Sequence, residues 1–185
     1  SRFEKYAEQV QAYATACESL YTVSIENATA PALNYYPPRP STQGPVDFQL
    51  DDKPTERPDE KSDIAFLSLS DLSRLIRSGV LSPVELTELY LERLDGLGRD
   101  LNSVITLTPD IARRQAERAE SEILKGAWRG QLHGVPWGAK DLLATKAVPT
   151  TWGSTVYKGQ VPDYDAAVVE RLENVELCGI AHSLG

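Results

Sequence analysis

The strongest constraint in this chain lies at residues 132–154, where a short apolar segment ends abruptly in two adjacent charges. Residues 132–139 are mainly apolar and are broken by glycine and proline, and Lys140 and Asp141 follow directly. An ammonium group held among apolar residues loses hydration and gives up its proton more readily. Such a lysine can serve as a base near neutral pH. We therefore expect Lys140 to be poorly solvated and to be the candidate base.

A structural interpretation of the same residues stays open. Lysine is rarely buried unless it is paired. On residue type alone, Lys140 could be a surface lysine at a strand end that pairs with its neighbour. Asp141 has the matching alternatives: it could anchor the local backbone, orient Lys140, or be a paired surface acid.

Three motifs follow one another with specific spacing. They are G-V-P-x-x-x-K-D at 134–141, P-T-T-x-G-S at 149–154 and D-A-x-V-V-x-R-L at 165–172. In this order they resemble the amidase signature family, over residues 62–185. The resemblance implies that Lys140 is the lysine of a Ser–cis-Ser–Lys triad, which hydrolyses amides through an acyl-enzyme. It also implies supporting or cleft-lining roles for Asp141, Thr150, Thr151, Gly153 and Ser154.

The two serines of that triad belong, in the family, to a Gly/Ser-rich segment that does not occur in these residues. We therefore expect this chain to be the N-terminal portion of the family's α/β/α sandwich, which has a mixed sheet. The serines would come from the remainder of the domain or from a second polypeptide, and the substrate would be a small-molecule amide. The alternative is a catalytically inactive, amidase-like structural or assembly subunit.

Composition excludes other classes of protein. The formal charge of −8 argues against nucleic-acid binding, which relies on Lys and Arg. No apolar run approaches the roughly 18 residues of a membrane span. Cys17, Cys178, His133 and His182 lack metal-ligand spacing, so we expect neither metal nor cofactor. The compartment stays open, with a soluble cytoplasmic or organellar protein expected rather than a secreted one.

Three regions are predicted along the chain. Residues 1–30 contain a helix, predicted at residues 3–23, whose apolar residues recur every three or four positions. We interpret it as packing on its own domain, and a partner-binding helix is the alternative. Residues 31–61 hold seven of the 12 prolines and are predicted to form a linker or wrapping arm. Residues 62–185 are predicted to be the incomplete amidase-signature domain.

Local signals predict the elements of that last region. A helix follows residue 68, and Ser82-Pro83-Val84-Glu85 predicts a capping box that opens a second helix. A strand at 102–107 and a helix at 109–125 come next, with Thr108 as the N-cap. The strand that ends at Lys140, a loop at 144–163, a helix capped by Asp165 and a strand at 177–181 complete the pattern. The strand–helix–strand order indicates an α/β sheet.

Two further points concern the loop. Trp152 stands where the family resemblance predicts a small residue, and we expect it to narrow the pocket. A Ser154–His133–Asp141 triad can be assembled on paper, but the chain has no G-x-S-x-G nucleophile elbow to support it.

Overall fold

The computed structural model describes residues 2–20, 22–24, 53–175 and 177–183, and it separates into two units that divide after Asp47. The first unit contains helix α1, Arg2–Leu20, close to the predicted bounds. The expected packing of its apolar face is not seen within the described residues, since Tyr6, Val10 and Tyr13 are 60–74% exposed. Most of the proline-rich arm, residues 31–52, lies outside the described residues.

No helix in the described ranges combines the length and the apolar content that crossing a membrane requires.

The second unit begins with a layer of helices: α2 (Lys61–Ile64), α3 (Leu69–Arg77) and α4 (Pro83–Arg93), which runs on into a π-helical turn at Leu94–Gly98. The predicted Ser82 cap is confirmed, because its hydroxyl accepts from the amides of Val84 and Glu85 at 3.1 and 3.2 Å. The reciprocal half of the capping box is not formed. The Glu85 carboxylate instead pairs with Arg57, and this contact fastens residues 53–60 to α4.

A three-stranded sheet lies against these helices. In chain order the elements are β1 (Val104–Leu107), α5 (Pro109–Leu124), β2 (Pro136–Lys140), a 3-10 turn at Thr155–Tyr157, α6 (Ala167–Asn174) and β3 (Cys178–Ser183). The order across the sheet is β1-β3-β2. Strand β3 pairs antiparallel with β1 and parallel with β2, so the sheet is mixed, as the resemblance implied.

One predicted cap is confirmed in position and the other is wrong. Thr108 is the N-cap residue of α5, as predicted, but its side chain accepts from no helix amide. Its hydroxyl donates to the carbonyl of Gly179 at 3.1 Å and so ties the start of α5 to β3. The N-cap of α6 is Ala166 and not Asp165, whose carboxylate accepts from the amide of Lys146.

The core lies between the helical layer and the sheet. Its fully or nearly buried members come from α2 to α4 and from the segments flanking β2 and β3: Ile64, Leu72, Leu75, Ile76, Leu81, Leu86, Leu89, Val135 and Leu177. Helix α5 contributes a stripe of fully buried alanines, Ala112, Ala116 and Ala119. Small side chains there let α5 lie close to the strands.

Gly134 sits at the tightest point between the segment before β2 and the helices. Its φ is +79°, and a Cβ there would lie 2.7 Å from Cγ of Pro83 and 3.6 Å from the Cβ of Ala119. Any side chain would therefore clash with the first turn of α4 and also strain the backbone. This explains in physical terms the first glycine of the G-x-P-x-x-x-K-D motif.

We predict that Gly134→Ala destabilises the protein more than Gly126→Ala. Gly126 has nearly the same φ, +80°, but a Cβ there would have no atom within 4 Å. Gly126→Ala therefore measures the cost of backbone strain alone, about 1–2 kcal/mol. The clash should add a further 1–3 kcal/mol, roughly, at Gly134. Urea unfolding measures both free energies. Pro83→Ala should recover part of the loss in Gly134→Ala, and equal costs at the two glycines would contradict this account.

Candidate active site

Lys140 is the last residue of β2, at the carboxyl end of the parallel pair β2 and β3. In the register of that pair it lies opposite Ser183, the last residue of β3. The carboxyl ends of neighbouring parallel strands form the edge where α/β proteins bind ligands. Lys140, the predicted base, therefore lies at the edge of the sheet where a catalytic residue is expected.

The expectation that Lys140 is poorly solvated is wrong for the described residues, because its side chain is exposed. Strand β2 lies at the outside of the three-stranded sheet, and Leu142, just beyond it, is itself 54% exposed. The apolar residues on either side of Lys140, which suggested that its side chain is buried, are thus themselves only partly buried. Ala139, one residue earlier, is the side chain that the strand buries.

Asp141 is a buried anchor for the loop that follows. Only 3% of it is exposed. One carboxylate oxygen accepts from the amide of Thr151 at 2.9 Å, and the other accepts from the Thr151 hydroxyl. Its own carbonyl accepts from the amide of Trp152 at 3.0 Å. The structure therefore brings Asp141 and Thr151 together, ten residues apart in sequence, directly after Lys140.

Further bonds hold the rest of this loop. The Thr151 hydroxyl accepts from the amide of Gly153 at 3.2 Å, and the Thr151 carbonyl accepts from the amide of Ser154 at 3.0 Å. Thr150 is fully buried, and its hydroxyl donates to the carbonyl of Val148 at 3.2 Å. The predicted supporting residues thus form one continuous hydrogen-bonded segment attached to the end of β2.

Two residues that the sequence did not single out complete the loop. Gln160 bonds Thr150 twice: its backbone carbonyl accepts from the Thr150 amide, and its side-chain amide donates to the Thr150 carbonyl, both at 3.0 Å. The ring of Tyr157 lies 4.7 Å from that of Trp152, centroid to centroid. Neither contact has a periodic signature, since loop pairs depend on the path of the backbone.

His133 belongs to the framework and not to a catalytic triad. It is fully buried, and its Nδ1 accepts from the amide of Arg129 at 3.2 Å. Its Nε2 lies 3.5 Å from the Glu122 carboxylate. A Ser–His–Asp triad requires the histidine Nδ1–H to donate to the aspartate. Here Nδ1 is an acceptor turned toward Arg129, which removes the Ser154–His133–Asp141 alternative.

The described ranges contain no cluster of three His, Cys, Asp or Glu side chains placed to hold a metal ion. Of the two cysteines, Cys17 is exposed on α1 and Cys178 is buried in β3.

Comparison with known proteins then decides the family. The family model for Amidase matches residues 85–183, just over half of the chain and the whole of the site described above. The chain belongs to the amidase family. Its mixed sheet with helices packed against it is the corresponding part of the amidase-signature α/β fold, as solved structures of amidases show.

The relatives of this member of the amidase family include a putative amidase and an amidotransferase subunit. A putative amidase AmiD from Mycobacterium bovis is 40% identical over 109 residues, which is 59% of this chain and 23% of that protein. A glutamyl-tRNA(Gln) amidotransferase subunit from Rhodospirillum rubrum is 42% identical over 106 residues, or 57% of this chain and 21% of that protein. The chain thus spans under a quarter of the length of these curated relatives.

Among solved structures, the native peptide amidase from Stenotrophomonas maltophilia is 34% identical with a TM-score of 0.59. That alignment covers 62% of this chain and 24% of the peptide amidase.

We predict that Asp141→Ala destabilises the protein by about 2–3 kcal/mol, because it leaves the partly buried amide of Thr151 without its charged acceptor. Urea unfolding measures this cost, and hydrogen exchange at the Thr151 and Trp152 amides should become faster. Asp163→Ala is the matched control: this exposed carboxylate lies in the same loop, and its loss should change stability by less than about 0.5 kcal/mol. Unchanged exchange in Asp141→Ala would show that the loop does not depend on the anchor.

A second prediction concerns pH. Burial lowers the pKa of His133 below its ordinary 6.5, against the opposing effect of the Glu122 carboxylate and with added effects of Arg129 and Arg118. Below pH 6.5 the unfolded chain therefore binds a proton at His133 that the folded chain does not bind. The contribution of His133 to the free energy of unfolding is full above pH 6.5 and decreases as the pH falls below that value.

Urea midpoints measured between pH 7.5 and pH 5 test this. The side chain of His133→Asn can still accept from the Arg129 amide but cannot titrate, so its midpoint should depend less on pH than that of the unmodified protein. Identical profiles for the two proteins would contradict the assignment.

Proposed function

We propose that the protein hydrolyses amides and that this chain contributes the lysine base. The observation that carries the proposal is the position of Lys140. It ends β2 at the carboxyl edge of the parallel pair, and the residue that follows it is locked to a loop by three hydrogen bonds. Membership of the amidase family supports amide hydrolysis as the chemistry.

In the proposed mechanism a nucleophilic serine attacks the amide carbonyl. Its proton passes through a cis-serine to the neutral amine of Lys140, and the leaving amine then takes a proton back. Backbone amides near the serines would hold the oxyanion. Water hydrolyses the resulting acyl-enzyme and restores the serine. Both serines belong to a part of the protein outside this chain.

The role proposed for Asp141 and its bonded loop is to position Lys140. A base must stay within hydrogen-bonding reach of the group that it deprotonates, and small displacements cost rate. Because Asp141 is buried and bonded at both carboxylate oxygens, the peptide next to Lys140 has little freedom. Thr150, Thr151, Gly153 and Ser154 act here as the wall of the cleft through their backbone and hydrogen bonds, and take no covalent part.

The proposal also requires a covering partner. The Lys140 side chain is exposed in this part of the protein. The neutral amine that a base requires is favoured where the group is removed from water. Within the described sheet, β2 has one strand neighbour, so its other edge can pair with a further strand. We propose that the serine-bearing part, in the same polypeptide or a second one, covers this edge and excludes water from Lys140. Assembly with further chains also belongs to the proposal, and the similarity to one component of an amidotransferase supports it.

We predict that Lys140→Ala in the full-length protein lowers kcat/KM for a simple primary amide by about 10²–10⁴-fold, the usual contribution of a general base. Release of ammonia from propionamide measures it. Lys146→Ala and Lys158→Ala are matched controls, since both are exposed lysines of the following loop, and they should retain activity.

Two results would overturn the proposal. Full activity in Lys140→Ala would place the base elsewhere. No hydrolysis by the unmodified full-length protein, across primary amides of several sizes, would favour the inactive structural subunit.

A further inference from the structure

Trp152 has a backbone conformation that its side chain disfavours. Its φ is +54°, in the left-handed region, and Gly153 beside it has φ +69°. Glycine adopts such angles without penalty, whereas a bulky residue there is a genuine outlier. Strained residues of this kind concentrate at binding and catalytic sites, where the surrounding structure holds them in place. The question is what the tryptophan ring does at this position.

The surroundings hold the Trp152 backbone firmly. Its amide donates to the carbonyl of Asp141 at 3.0 Å, and the next amide, that of Gly153, donates to the Thr151 hydroxyl at 3.2 Å. Asp141 immediately follows Lys140 in the chain. The strained residue is therefore attached, through one backbone hydrogen bond, to the residue that follows the proposed base.

The ring of Trp152 makes an aromatic pair with Tyr157. Their centroids are 4.7 Å apart with an interplanar angle of 60°, and both residues are partly buried. Tyr157 is itself held, because its amide donates to the carbonyl of Ser154 at 3.1 Å. The pair is thus a rigid apolar surface with part of each ring still open to contact.

We propose that Trp152 and Tyr157, on the loop that is hydrogen-bonded to the residue after Lys140, form an aromatic wall that selects amides bearing an aromatic group. A flat apolar ring can pack on such a wall edge-to-face or offset, and this adds to its burial from water. A short aliphatic amide gains little from the same surface. This inference rests on the proposed function for its catalytic test, and it deepens that function by naming a substrate class.

The test compares two amides in the full-length protein. The measured quantity is kcat/KM for benzamide divided by kcat/KM for propionamide. Trp152→Gly removes the ring and also relieves the φ strain, so the loop backbone keeps its conformation. The ratio should fall about tenfold in Trp152→Gly, the loss expected for one aromatic contact. Tyr157→Ala should lower it in the same direction.

Two further variants separate selectivity from loop structure. Trp152→Phe keeps an aromatic face and should hold the ratio within about threefold of the unmodified protein. Val156→Ala changes a neighbouring side chain that is 82% exposed and should leave the ratio unchanged. An equal loss on both amides in Trp152→Gly would make Trp152 a purely structural residue and overturn the proposal.

A binding measurement distinguishes this failure from failure of the proposed function. Benzamide is titrated calorimetrically into Lys140→Ala and into Lys140→Ala/Trp152→Gly. Weaker binding to the double variant supports the wall even where no amide is hydrolysed. Equal affinities of the two variants for benzamide would contradict the proposed aromatic wall. So would a lack of benzamide binding by either variant together with a lack of benzamide hydrolysis.

Discussion

The close approach of backbone to helix at Gly134 is the constraint on which the rest of the site depends. The chain can enter β2 only by passing within van der Waals contact of Pro83 at the start of α4, with Ala119 of α5 nearby. That passage sets where β2 begins and, at the far end of the strand, where Lys140 emerges. A residue of catalytic interest is thus placed by a contact between atoms that take no part in the chemistry.

The sequence predicted elements well where periodicity and local caps decide the structure. Helices α3, α4 and α5 and the three strands lie close to their predicted positions, and the Ser82 cap forms as its spacing indicated. Prediction of side-chain bonds failed where a side chain had a local and a distant option. Thr108 is at its predicted N-cap position but its hydroxyl bonds to β3, and Asp165 bonds to the amide of Lys146 and leaves the cap position to Ala166. No window of sequence contains the information to choose between these partners.

The candidate site was likewise predicted in part: the sequence identified its residues but not the directions of their side chains. The motif identified Lys140, Asp141, Thr151 and their neighbours, because their spacing is specific. It did not reveal that the Asp141 carboxylate turns inward while the Lys140 side chain turns outward. The strand ends between these two residues, and which of the two side chains is buried depends on what surrounds each of them. The covering elements, and the pairing of Trp152 with Tyr157, are tertiary properties.

The order of strands also affects how the protein is made. Strand β3 lies between β1 and β2 and is hydrogen-bonded to both, whereas β1 and β2 are not neighbours. During synthesis, β1 and β2 leave the ribosome before the strand that will join them, so about 70 residues pass between β1 and its partner. Over that interval the backbone groups of β1 and β2 that will bond to β3 have no partner strand. The sheet is therefore completed only after β3 has emerged from the ribosome.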